Sequence, residues 1–63
     1  MDIYTQYNYE KKWMKTSSKD ALRMIEEEMP QTDAQGILDY IISELKQGKK
    51  VTLGTCRFMS KEA

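Results

Sequence analysis

The chain has no histidine, a single cysteine and a single proline in 63 residues. The missing imidazole removes the Ser-His-Asp and Cys-His arrangements, along with zinc sites of the Cys2His2 kind. Cys56 has no partner for an internal disulfide, so the chain lacks the staples with which small secreted domains reinforce a thin core. Long apolar runs are missing too: pairs such as Ile37-Leu38 and Ile41-Ile42 fall well short of the roughly 18 residues that cross a bilayer. Met1 to Lys15 is polar and tyrosine-rich, where a signal peptide has a basic start and then an apolar run of about 7 to 15 residues. These absences predict a cytoplasmic protein with no membrane partner. Gly36, Gly48 and Gly54 stand too far apart to cradle a phosphate. The hydroxyls of Ser17, Ser18 and Thr32 have no basic side chain in sight to activate them. No catalytic, metal-binding or cofactor-binding residue is expected, and the reading is non-enzymatic.

What is present is enough for one small domain and no more. The net charge is zero, but its distribution along the chain is uneven. Residues 1–19 carry four lysines against two acids, a balance of +2. Residues 20–45 carry seven acids against Arg23, a balance of −6, and residues 46–63 carry five cations against Glu62, a balance of +4. An acidic middle and a basic C-terminal end can orient a partner although the total cannot.

Ile3, Thr5, Tyr7 and Tyr9 alternate with polar residues, which predicts an extended segment from Ile3 to Tyr9, a strand or an arm. Ser17 reads as the cap of a first helix, accepting from the backbone N–H of Asp20. That helix runs from Lys19 to about Met29 with Leu22, Ile25 and Met29 on one face, and Pro30 ends it. Thr32, with Gln35 three residues on, has the pattern of a capping box for a second helix. Its apolar stripe is Ala34, Ile37, Leu38, Ile41, Ile42 and Leu45, and Gly48 is the left-handed residue that closes it. Gly36 in its first turns is either tolerated or marks the close approach of another backbone. Val51 to Met59 reads as a hairpin with Gly54-Thr55 as a two-residue type II′ loop. Leu53 then faces Cys56, Val51 faces Phe58, and Thr52 and Arg57 point outward. Cys56 is expected as a small inward-facing core residue.

Three groups of side chains are candidate contact surfaces. Glu26, Glu27 and Glu28 with Asp33 form the densest carboxylate group. Consecutive helix positions diverge by about 100°, so these acids offer a solvated or docking face in place of a metal site. Tyr4, Tyr7, Tyr9 and Trp13, interleaved with Lys11, Lys12 and Lys15, suit a protein hot spot or base stacking, or simply cover the core. Lys46, Lys49, Lys50 and Arg57, with Lys11 and Lys12, are the candidate phosphate contacts.

From about Ser18 to Phe58 the order is helix, short turn, helix, then Leu45-Lys46-Gln47-Gly48-Lys49-Lys50-Val51-Thr52-Leu53-Gly54 leading into a hairpin. This resembles the N-terminal half of the bacterial histone-like family that includes HU and the integration host factor. There, two helices end in a leucine, a basic-glycine turn and a V-x-L strand that leads to a G-F-G-x-F hairpin. Gly48, Val51, Leu53, Gly54 and Phe58 stand where that pattern wants them. The hairpin here is about two residues shorter, with Thr55-Cys56-Arg57 in place of the second glycine, and the family's proline-tipped basic arm has no counterpart. The resemblance implies a helical dimer and a basic hairpin around Lys49, Lys50 and Arg57, and none of the arm's binding residues carries over.

The expected fold is α+β, with two antiparallel helices packed on a short β-hairpin and an N-terminal strand or arm. It is one domain, with an extended segment at 1–15, a helical hairpin at 16–48, a β-hairpin at 49–59 and a tail at 60–63. Leu22, Ile25, Ile37, Leu38, Ile41, Ile42, Leu45, Val51, Leu53 and Phe58 should form the core. So little interior points to a homodimer. The functional expectation is a small interaction protein of phage or mobile-element type, a regulator or anti-defence inhibitor that binds a protein through its acidic face or aromatic N-terminus. The alternative is an HU-like nucleic-acid-binding protein that uses the basic hairpin.

Overall fold

The computed structural model describes residues 2–61. Met1 and the last two residues of the expected 60–63 tail lie outside them. The elements run β1 (Ile3–Tyr7), β2 (Met14–Thr16), α1 (Ser18–Glu28), α2 (Ala34–Lys46), β3 (Val51–Leu53) and β4 (Cys56–Ser60). The class is α+β, with two helices on one side of a four-stranded antiparallel sheet ordered β2-β1-β4-β3.

β1 has the alternation expected of it, but it ends at Tyr7, and Asn8 and Tyr9 are already in a turn. It turns back to pair with β2, which brings Ile3 opposite Thr16 and Thr5 opposite Met14. β2 falls partly within the span expected to be helical, because Met14 breaks the alternation and three residues are too few for period two to show. The Thr5 and Thr16 hydroxyls, 2.6 Å apart, join the two strands on the helix-facing side. On its other edge β1 pairs with β4 along its whole length, from Ile3 opposite Ser60 to Tyr7 opposite Cys56. The N-terminal segment is therefore a central strand, and Ser60, expected in the tail, is its neighbour.

In α1, Ser17 accepts from Asp20 N–H at 3.1 Å, as its position predicts. The inward face is Ala21, Met24 and Ile25; Leu22 is half-buried, and Met29 is the exposed C-cap. The cap of α2 is Asp33, whose carboxylate accepts from Gly36 N–H at 3.1 Å. Thr32, the residue expected there, instead donates its hydroxyl to Met29 O at 2.7 Å and closes the turn after α1. The same cap accounts for Gly36: a β-carbon there would lie 2.5 Å from Asp33 Oδ2, so the close approach is by a carboxylate, not by another backbone.

β3 and β4 form the expected hairpin, with Leu53 opposite Cys56 and Val51 opposite Phe58. Gly54 has φ +58 and Thr55 does not share the positive φ, which fits a type II′ loop. The core joins Ile3, Cys56 and Phe58 of the sheet to Ala21, Met24, Ile25, Leu38, Ile41 and Leu45 of the helices. Leu22, Ile37, Ile42, Val51 and Leu53, expected inside, pack at its margin as half-buried residues. Cys56 is inward as expected, and Ile3, Ala21 and Met24 take central places beside it, because a four-stranded sheet gives the helices a wider floor than a hairpin alone.

Candidate nucleic-acid interface

Side chains alternate across a sheet, so the inward residues of each strand fix what its other face carries. Phe58 and Cys56 point to the helices, with Thr5 and Tyr7 opposite them on the same side. The open face therefore receives Tyr4 and Gln6 from β1, Lys15 from β2, Arg57 and Met59 from β4, and Thr52 from β3. Lys15, Tyr4 and Met59 form one row across three strands. Gln6, Arg57 and Thr52 form the next, and Arg57 Nη1 donates to Gln6 Oε1 at 3.4 Å.

Three residues just beyond strand ends complete this face. Trp13 precedes β2 and Lys50 precedes β3, at opposite edges of the sheet, yet Lys50 Nζ sits 5.9 Å from the centre of the Trp13 ring. The helices occupy the other side, so this contact reaches across the open face. Gln6, whose Oε1 accepts from Arg57, is only 7% exposed on this side. At the other end Lys61, two residues past Met59, holds its Nζ 4.5 Å from the centre of the Tyr4 ring.

The charges follow the layers. The open face carries Lys15, Lys50, Arg57 and Lys61 against Asp2, which lies 3.7 Å from Lys15. The helical segment from Ser17 to Lys46 carries seven acids against Lys19, Arg23 and Lys46. The acidic middle of the sequence is thus turned to the back of a basic and aromatic sheet.

The expected aromatic group divides between the two sides. Tyr4 and Trp13 lie on the open face, both half-buried. Tyr7 belongs to the helix side and stacks on the exposed Tyr9, with ring centres 5.4 Å apart. Burial raises the Tyr7 hydroxyl pKa, and the neighbouring Cys56 and Glu27 add to the rise. The expected phosphate contacts also separate. Lys50 and Arg57 reach the open face, Lys49 turns to Glu44 at 3.9 Å, Lys46 ends α2, and Lys11 and Lys12 are exposed in the β1–β2 connection. Lys61 was absent from the sequence-predicted contacts and Lys15 was grouped only with the N-terminal aromatics. Their signal is parity: Lys15 is two residues from Trp13, and Lys61 is four from Arg57.

Of the acids, Glu28 is fully engaged in the fold. Its Oε1 accepts from Thr55 N–H at 2.8 Å, from the Thr55 hydroxyl, and from Cys56 Sγ at 3.5 Å. The Thr55 hydrogen bonds pull its carboxyl below the usual range. Cys56, 1% exposed, is pushed up to about 11 by burial and then by Glu28, so its thiol stays protonated and unreactive near neutrality. Glu27 pairs with Arg23 at 3.1 Å, Asp33 caps α2, and Glu26 is exposed.

Among the described residues no three His, Cys, Asp or Glu side chains gather in a way that could hold a metal ion, and no helix is long and apolar enough to cross a membrane. No family model matches the chain, and no curated protein or solved structure matches it either.

Proposed function

We propose that this protein is a non-catalytic nucleic-acid-binding module that receives its ligand on the open face of the sheet. The observation that carries the reading is the segregation of charge by layer, which leaves Lys15, Lys50, Arg57 and Lys61 around Tyr4 and Trp13, with Asp2 beside Lys15 and the seven acids of the helical segment behind. Cations beside rings are the pairing that neutralises phosphates while offering bases a surface. A module of this kind regulates by occupancy, blocking whatever else would use the strand it covers. A protein partner docking through Glu26, Glu27, Glu28 and Asp33 has less support. Three of those four acids already hold the fold, in the Arg23 pair, the Thr55 contact and the α2 cap.

The test is the anisotropy of a labelled oligonucleotide titrated with the protein at about 50 and about 200 mM salt. Four phosphate contacts predict an affinity loss on the order of 50-fold over that range for a single strand. Replacing Lys15, Lys50, Arg57 and Lys61 by Gln should abolish both the binding and its salt dependence, while Lys19→Gln with Lys46→Gln on the helical layer should change neither. No binding at the lower salt, or an equal loss from the helical pair, would contradict the proposal.

A further inference from the structure

Resting on that nucleic-acid reading, we infer that the ligand is single-stranded and that two of its bases stack on Trp13 and Tyr4, displacing the lysines that cover these rings at rest. The two rings belong to neighbouring segments of the sheet. Tyr4 sits opposite Lys15, and Trp13 is two residues before Lys15, so the rings are rooted as diagonal neighbours, a spacing of roughly 7–8 Å. Each is half-buried, which fixes the ring, and each has a lysine ammonium over it, Lys50 on Trp13 and Lys61 on Tyr4.

An exposed cation–π contact is weak beside a charge-assisted bond from ammonium to phosphate. An arriving strand therefore draws each lysine from its ring to the backbone, and the exposed ring takes a base in the same movement. A duplex cannot complete this exchange, since its bases are already stacked on each other and show only their edges. The lysines also cover the rings until a strand arrives, which keeps the two aromatics and Met59 from forming a bare apolar patch. DNA and RNA strands share this chemistry.

Trp13 is the only tryptophan, so its emission reports on its own ring. The protein is titrated with eight-nucleotide oligo(dT), eight-nucleotide oligo(rU) and a short DNA duplex at about 50 mM salt, following both Trp13 emission and the anisotropy of a labelled strand. The expected result is saturable quenching by one or both single strands and weaker binding of the duplex, the two oligonucleotides separating a DNA from an RNA ligand. Trp13→Ala should weaken single-strand binding by about 5- to 150-fold while Trp13→Phe, which keeps a ring, retains most of it. Circular dichroism of both variants separates a lost contact from a lost fold. Lys50→Met should leave the quenching in place and lower the salt slope by about 0.7, which a merely structural Lys50 would not do. Duplex binding as tight as single-strand binding, with Trp13 emission unchanged, would overturn stacking while the nucleic-acid reading stands. Failure of all three ligands to bind would overturn both.

Discussion

Glu28 joins parts of the chain 27 residues apart, the end of α1 and the loop between β3 and β4. Its carboxyl is held below its ordinary value of 4.5 by Thr55, so the ionised form favours the folded state. That contribution is present above the unfolded value and is lost as the pH falls through the lower folded value. Thermal unfolding should therefore show Glu28→Gln less stable than the unsubstituted protein near neutrality, with the gap closing as the pH falls below the ordinary carboxylate value and the native carboxylate takes up its proton. A gap that stays constant with pH would mean the charge contributes nothing. Phe58 is the opposite case, an apolar side chain with 0% exposure at the centre of the core. Phe58→Ala should cost about 3–5 kcal/mol, against roughly 3–9 kcal/mol of total stability for a domain this size. Urea titration followed by circular dichroism should find the midpoint sharply lowered, with a third or more of the stability gone.

At the scale of elements, the β3–β4 hairpin depends on one glycine. Gly54 has φ +58, and a β-carbon there would lie 2.9 Å from the Glu28 carboxylate. Gly54→Ala should destabilise by at least about 1–2 kcal/mol from the backbone alone, read as a lower urea midpoint. This hairpin was legible in the sequence because its loop chemistry and its apolar alternation agree on one register. Both helices were legible for the same reason, with Ser17 and Pro30 bounding one and Gly48 closing the other. β2 was not legible. Three residues carry no period, and Met14 is exposed although it points to the helix side, because it lies at the edge of the sheet. The cap of α2 was displaced by one residue because Thr32 and Asp33 are both good caps, and only the turn after Pro30 decides which side chain faces the helix end.

For the whole molecule, the decisive fact is which way the sheet faces, and the sequence holds that only indirectly. Charge sums by segment show an acidic middle, yet they do not say that β1, β2, β3 and β4 close into one sheet and put that middle behind it. Lys50 and Arg57 could be named as candidate phosphate contacts from the sequence. Their meeting with Trp13 and Gln6 depends on β1 lying between β2 and β4, a pairing with residues more than 40 positions away. The same pairing enlarges the interior beyond the hairpin and helices on which the homodimer expectation was based. The most direct measurement is a titration of nitrogen-15-labelled protein with oligo(dT), followed by amide chemical shifts. Binding on the open face predicts shifts concentrated at Tyr4, Gln6, Trp13, Lys50, Arg57 and Lys61 with the outer helix residues still. Shifts concentrated at Glu26, Asp39 and Tyr40, with the sheet face unmoved, would contradict it.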